Sequence, residues 1–136
     1  MEWIDRNKAL QIHQELVARS YPAAFDNLGW LYFTERSDPA KAVALFRRGV
    51  LTGDSDSMVS LAEMIERGHA IPANPSEEKL QLYSRAAKLG NAGAARAYQA
   101  EIAKARATQQ ERMLQLELQR RAMPFFGTVM RNIPRL

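Results

Sequence analysis

A segment of this chain occurs twice, 37 residues apart, and that period limits the possible architecture more than any other feature. Asp38-Pro39-Ala40-Lys41-Ala42-Val43-Ala44-Leu45-Phe46-Arg47-Arg48-Gly49-Val50-Leu51-Thr52-Gly53 lies over Pro75-Ser76-Glu77-Glu78-Lys79-Leu80-Gln81-Leu82-Tyr83-Ser84-Arg85-Ala86-Ala87-Lys88-Leu89-Gly90, with Leu–aromatic, Arg and Gly in coincidence. A degenerate copy opens the chain 33 residues earlier, with Asp5, Lys8, Ala9, Ile12, His13 and Val17, and with Ser20 in the glycine position. A repeated unit of this size cannot bury its apolar face alone, so it must stack on its neighbours.

Each copy reads as a helix with one buried stripe: Val43, Phe46 and Val50 recur at spacings of three and four. The punctuation agrees. Asp38-Pro39 and Asn74-Pro75 each supply a capping side-chain oxygen and then a proline where a missing N–H costs nothing. Glu77 stands three residues after Asn74, as in a capping box. Gly53 and Gly90 occupy the position where a left-handed residue closes a helix. A second kind of helix is predicted between these: Pro22 to Glu35, carrying Phe25, Leu28, Gly29 and Tyr32, and Ser57 to Arg67, carrying Met58, Leu61, Ala62 and Ile65. The small residue after each Leu lets two helix axes approach closely. After Gly90 a third such helix begins with Ala95, Tyr98 and Ile102 and meets no breaker until Pro124, which predicts an end at or before Met123. The expectation is one helical-repeat domain over residues 1–122, its terminal helix spanning about 92–122, followed by an apolar, basic tail at 123–136.

The repeat pattern resembles the Sel-one-like repeat family, a variable-length relative of the tetratricopeptide repeat, over residues 5–103. Leu28-Gly29, Tyr32, Asp38, Lys41-Ala42, Phe46 and Gly53 match its pattern in one copy; Gly68, Tyr83, Arg85-Ala86-Ala87 and Gly90 match it in the next. The four extra residues of the second copy fall in the loop His69 to Asn74. Gly49-Val50 replaces an Ala-Ala pair, Ala62 replaces a glycine, and Pro75 replaces an aspartate. The resemblance implies an all-α fold: a right-handed α/α superhelix of about two and a half helix-turn-helix repeats with a long C-terminal capping helix. It also implies a cofactor-free module that scaffolds or adapts other proteins.

Composition narrows the alternatives. With no cysteine among 136 residues, disulfides, thiolate catalysis and cysteine-held metals drop out. Residues 1–91 carry 11 Lys/Arg against 12 Asp/Glu, and residues 92–136 carry 8 against 3, so the whole basic excess lies in the last third. That asymmetry would suit nucleic acid, an anionic surface or an acidic partner. Against nucleic acid, Arg112, Arg120, Arg121, Arg131 and Arg135 are spread out, without an aromatic stacking platform. No leader pattern opens the sequence and no stretch approaches the roughly 20 apolar residues of a membrane span, so a cytoplasmic location is expected and membrane partnership is not.

If the first helices line the concave side, positions beside their buried stripe look into the groove. These are Asp26, Trp30 and Phe33 on the first, Val59, Glu63, Glu66 and Arg67 on the second, and Arg96, Ala100 and Lys104 on the third. Trp30 and Phe33 share one helix face and would make an aromatic anchor for a partner peptide; a Trp-Leu-Tyr-Phe run is equally consistent with burial, for instance under residues 5–19. Glu63 with Glu66 as a hydrolytic acid–base pair is a distant alternative to a solvated face. His13, in the aromatic slot of Phe46 and Tyr83, reads as a packed, hydrogen-bonded side chain, and His69 as a loop residue. No phosphate loop or nucleophile motif occurs. In the last third, Leu114 and Leu118 permit a helix–helix homodimer, while Phe125, Phe126 and Met130 are expected to fold back or dock. The function expected is protein–protein interaction in the concave groove, as an adaptor, scaffold or inhibitory partner of the immunity type, with no metal and no catalytic residues.

Overall fold

The computed structural model of the protein describes residues 6–131, with side chains as far as Met123. Six helices follow one another: α1 (Arg6–Ala18), α2 (Pro22–Thr34), α3 (Pro39–Leu51), α4 (Ser55–Glu66), α5 (Pro75–Lys88) and α6 (Ala92–Arg131), with no strand among the described residues. α1 packs on α2, α2 on α3, α3 on α4 and α4 on α5, and α2 also runs beside α4. This is the expected all-α repeat architecture, with α2/α3 and α4/α5 as its two successive hairpins. By internal packing the chain divides into two compact units, Met1–Tyr98 and Gln99–Leu136.

The helix boundaries follow from the caps. Asp38 accepts the Lys41 N–H at 3.1 Å. Asn74 accepts the Glu77 N–H at 3.3 Å, and its amide donates back to the Glu77 carboxylate at 2.9 Å. The reciprocity is that of a capping box, routed through the Asn side chain. α4 starts two residues earlier than its apolar pattern suggests, because Asp54 caps it by accepting both the Ser57 N–H at 3.0 Å and the Ser57 hydroxyl at 2.6 Å. At the other ends Gly53 and Gly90 have φ of 83° and 92°, and Ser20, in the same position after α1, has φ of 59°. The degenerate copy keeps the turn and strains a serine to make it.

Two adjoining clusters form the core of the first unit. Val17, Ala24, Phe25, Leu28 and Leu45 join α1, α2 and α3; Ala42, Phe46, Met58, Leu61, Ala62, Met64, Ile65, Leu82, Ala86 and Ala94 join α3 to α6. At Gly29 the ring of Phe46 lies against the backbone of α2: a Cβ there would stand 2.4 Å from Phe46 Cε1. At Gly49, one of the departures from the repeat pattern, a Cβ would meet Ser57 Oγ at 2.0 Å and Phe25 Cβ at 3.1 Å. One repeat later the same two positions are Ala86 and Ala94, both fully buried in one cluster. Gly with Ser and Ala with Ala fill similar space, so one substitution compensates the other. The repeat's polar signature is accounted for too: Lys41 Nζ lies 4.5 Å from the centroid of the Tyr32 ring, whose hydroxyl accepts from Gln14 Nε2 at 3.0 Å.

One boundary differs from the sequence expectation. α6 does not stop at Met123 but continues through Pro124 to Arg131. A proline inside a helix removes one N–H and crowds the carbonyl four residues back, at a cost of about 3 kcal/mol. Here that carbonyl belongs to Arg120, in a stretch where the side chains stand exposed, so water can take over the lost bond. His13 also departs from expectation: its Nδ1 is buried and finds no hydrogen-bond partner among the described residues.

Two substitutions test this packing in urea or thermal melts. Gly29→Ala should lower stability by about 1–3 kcal/mol, because the aromatic ring it meets is itself fully buried. Ser20→Gly should raise stability by about 1 kcal/mol by relieving a left-handed backbone.

Candidate partner-binding face

α2 and α4 run side by side, and their polar and aromatic residues meet along one strip. At one end of the strip, the Ser60 hydroxyl donates to Asp26 Oδ1. The Trp30 indole N–H donates to Ser60 Oγ at 2.9 Å. Further along, the Trp30 ring meets Phe33 edge-on with centroids 5.5 Å apart and leans on Phe46 at 5.4 Å. Phe33 in turn meets the His69 ring edge-on at 5.3 Å and has the Arg67 guanidinium 5.6 Å from its centroid. Arg67 is tied to Glu63 at 2.5 Å, one turn back on α4. The strip runs from a carboxylate end, Asp26 with Asp54 and Asp56 nearby, to an aromatic and cationic end.

The sequence-derived candidates separate on this geometry. Asp26, Trp30, Phe33, Glu63 and Arg67 come together. Trp30 is half-buried, and the groups that hold it, Phe46 and Ser60, come from α3 and α4 rather than α1. Val59 is half-buried against the main cluster. Glu66 faces α5 and pairs with Lys79, so Glu63 and Glu66 are each matched to a cation rather than to one another. Arg96 stands exposed near the start of α6. In the second unit, Ala100 is exposed and Lys104 bonds Glu101 at 3.3 Å. Leu114 and Leu118 are exposed there. The side chains of Phe125, Phe126 and Met130, the remaining tail candidates, lie outside the described part of the structure.

Two features escaped the sequence reading. Ser60 and His69 complete the strip: Ser60 sits three residues from Ser57 with nothing in its neighbourhood to distinguish it, and His69 belongs to a turn whose position depends on where α4 ends. The other feature is a cleft of about 500 Å³ between α3 and α5. Val50, Leu61 and Leu82 line it together with Leu51, which is 87% exposed; Arg47, Glu77, Glu78 and Arg85 also line it. Arg47 and Glu78 are bonded at 3.1 Å. Leu51 lies just off the buried stripe of α3, the one local sign that an apolar side chain there has no place in the core.

Asp26 is held away from its ordinary carboxyl behaviour. Burial pushes its carboxyl above the ordinary 3.8; the donated Ser60 hydroxyl acts in the opposite sense, and the Asp56 and Asp54 carboxylates raise it further. A carboxyl whose pKa is higher folded than unfolded favours the fold most where it is protonated in both states, and that contribution is lost as pH rises through the folded-state value. Asp26→Asn keeps a carbonyl to accept from Ser60 and removes the charge. It should therefore be more stable than the wild type at pH 7, with the difference closing as pH falls to about 4, in urea titrations across that range.

Comparison with known proteins concerns the fold. No family model matches the sequence, and no curated protein matches it significantly. Among solved structures, the crystal structure of a Sel1 repeat protein from Oxalobacter formigenes superposes with a TM-score of 0.62 at 24% identity, covering 69% of this chain and 38% of that one. The chain thus spans well under half the length of that protein. Taken with the stacked hairpins, the glycine-closed helices and the Gly29–Phe46 contact, the likeness shows that this chain has the fold of a Sel1-type helical repeat protein.

Proposed function

We propose that the protein is a protein-interaction module that takes a partner segment along the α2/α4 strip. The observation that carries this reading is the arrangement around Phe33. Its ring is set between Trp30 and His69 with Arg67 beside it, so an aromatic and a guanidinium are pre-positioned with part of their surface open. Aromatic and arginine side chains dominate binding energy at protein interfaces, and little ordering remains to be done when a partner arrives. The first helices of stacked hairpins line the concave side of a repeat array, where partners are commonly held. The charge gradient adds a preference: the Asp26 end suits a basic group, and the Arg67 end suits an acidic or aromatic one. Such a surface serves an adaptor, a scaffold or an inhibitory partner of the immunity type, working without cofactor or catalytic residues in the cytoplasm.

The α3/α5 cleft supports a second reading, since its apolar lining and exposed Leu51 would accept an apolar side chain of a partner. Nucleic-acid binding through the arginines of α6 is the third, and a steep loss of binding with salt is its signature.

The strip is tested by capture of a partner on immobilised chain. Phe33→Ala combined with Arg67→Ala should reduce capture at least about tenfold while the melting temperature stays within a few degrees, because both side chains are at the edge of the core. Trp30 is unsuitable for this test, since its loss would remove core packing and leave Ser60 short of a donor. Undiminished capture by the double variant overturns the proposal; loss of capture with Leu51→Asp alone moves the site to the α3/α5 cleft.

A further inference from the structure

The second compact unit contains, among its described residues, only α6. Between residues 113 and 123 its large apolar side chains stand in water: Leu114 is 58% exposed, Leu118 56%, Met113 61%, Leu116 52% and Met123 70%. At 100° per residue they divide between two sides of the helix. Leu114 and Leu118 lie on one, in a strip at alternating spacings of four and three that reads Ala107, Glu111, Leu114, Leu118, Arg121. Met113, Leu116 and Met123 lie on the other, in a strip whose charged members, Arg106 and Arg120, are both cations. From Glu111 to Arg121 the first strip is complementary to itself when reversed. Placed antiparallel across a two-fold axis midway between Leu114 and Leu118, Leu114 of one copy meets Leu118 of the other, and Glu111 meets Arg121. The same operation repeats both contacts on the far side of the axis, as an isologous interface requires. A parallel pairing in register sets Glu111 against Glu111 and Arg121 against Arg121, and like charges in facing positions oppose association.

We propose that the chain self-associates through α6 as an antiparallel pair of helices, with Leu114 and Leu118 at the centre and a Glu111–Arg121 contact on either side. Glu117, nearest the axis from both copies, is already held by Arg121 of its own helix at 2.8 Å. The two carboxylates therefore arrive paired, and each Arg121 stands between Glu117 of its own chain and Glu111 of the second copy. The strip of Met113 and Leu116 offers no such pairing, since its charged positions would meet a second copy without a carboxylate. The second copy also supplies what a single helix in water lacks, because helical stability in proteins comes mainly from packing of an apolar face. This inference is independent of the α2/α4 strip: it concerns a different unit and a different partner.

The experiment is sedimentation equilibrium on the whole 136-residue chain and on charge-reversed variants. All the changed residues lie on the exposed surface of α6, so the first unit remains folded. The wild type should weigh twice its 15.4 kDa. Glu111→Arg alone and Arg121→Glu alone should each weaken the dimer about tenfold or more, because each sets like charges against one another twice. An equimolar mixture of the two single variants should recover the dimer, since the introduced arginine then faces the introduced glutamate in one contact, and the original Glu111 and Arg121 face each other in the second. The double reversal should recover it as well. A monomeric wild type up to about 100-fold above micromolar concentration, a dimer indifferent to the single reversals, or single variants that do not rescue each other would each overturn the proposal.

Discussion

The contact between Gly29 and the ring of Phe46 sets the spacing of everything around it in the first unit. With no side chain at Gly29, α2 and α3 approach until the aromatic ring lies against backbone, and there is no room for even a methyl group. Phe46, thus held, becomes the surface on which Trp30 leans. Trp30 in turn orients its indole N–H toward Ser60 on α4 and meets the Phe33 ring in a T-shaped contact. A packing constraint between two helices therefore fixes the position of an aromatic face shared with a third. Close-packed interiors transmit such constraints because they have few voids in which a shift could be absorbed.

The same logic explains how the repeat tolerates variation. Gly49 and Ser57 replace an alanine pair without opening a cavity, since a lost methyl on one helix is matched by an added hydroxyl on the next. That hydroxyl is satisfied by Asp54, which also caps α4. One residue, Ser57, thus links core volume to the position of a helix terminus. Asp26 shows the reverse arrangement, in which a group is held at some cost to stability. Its carboxyl is partly desolvated and stands near two other carboxylates, and groups of that kind concentrate where a protein meets something else.

The two units illustrate two ways in which apolar residues are handled. In Met1–Tyr98 the stripes of successive helices are used up against one another, leaving Leu51 at the rim of the α3/α5 cleft and Ile71 in the loop after α4 as the apolar side chains most open to solvent. Between residues 113 and 123 of α6 the large apolar side chains fall on two sides of one helix, and all of them are exposed. A helix with two apolar sides is built for company, and between Glu111 and Arg121 the order of charges along one of those sides reads the same forward and backward with the signs exchanged.

Much of this was legible in the sequence. The period of 37 residues, the Asp-Pro and Asn-Pro starts, the glycines at the ends and the Leu-Gly approach site determined the helices, their order and their stacking, because caps, left-handed turns and apolar periodicity are local properties carried by a few residues each. Even Ser20 in a glycine position was readable before its backbone angle was known. The continuation of α6 through Pro124 was not, since the penalty for an interior proline depends on whether the freed carbonyl is dry or wet. Nor was the composition of the α2/α4 strip: Asp26, Trp30 and Phe33 lie along one side of α2, but Ser60 and His69 joined them only because residues 30 and more positions apart in sequence were brought within hydrogen-bonding and ring-contact distance. Local chemistry is written residue by residue, whereas which side chains share a surface is decided by how closely helices pack, which here depends on the absence of side chains at Gly29, against Phe46, and at Gly49, against Ser57.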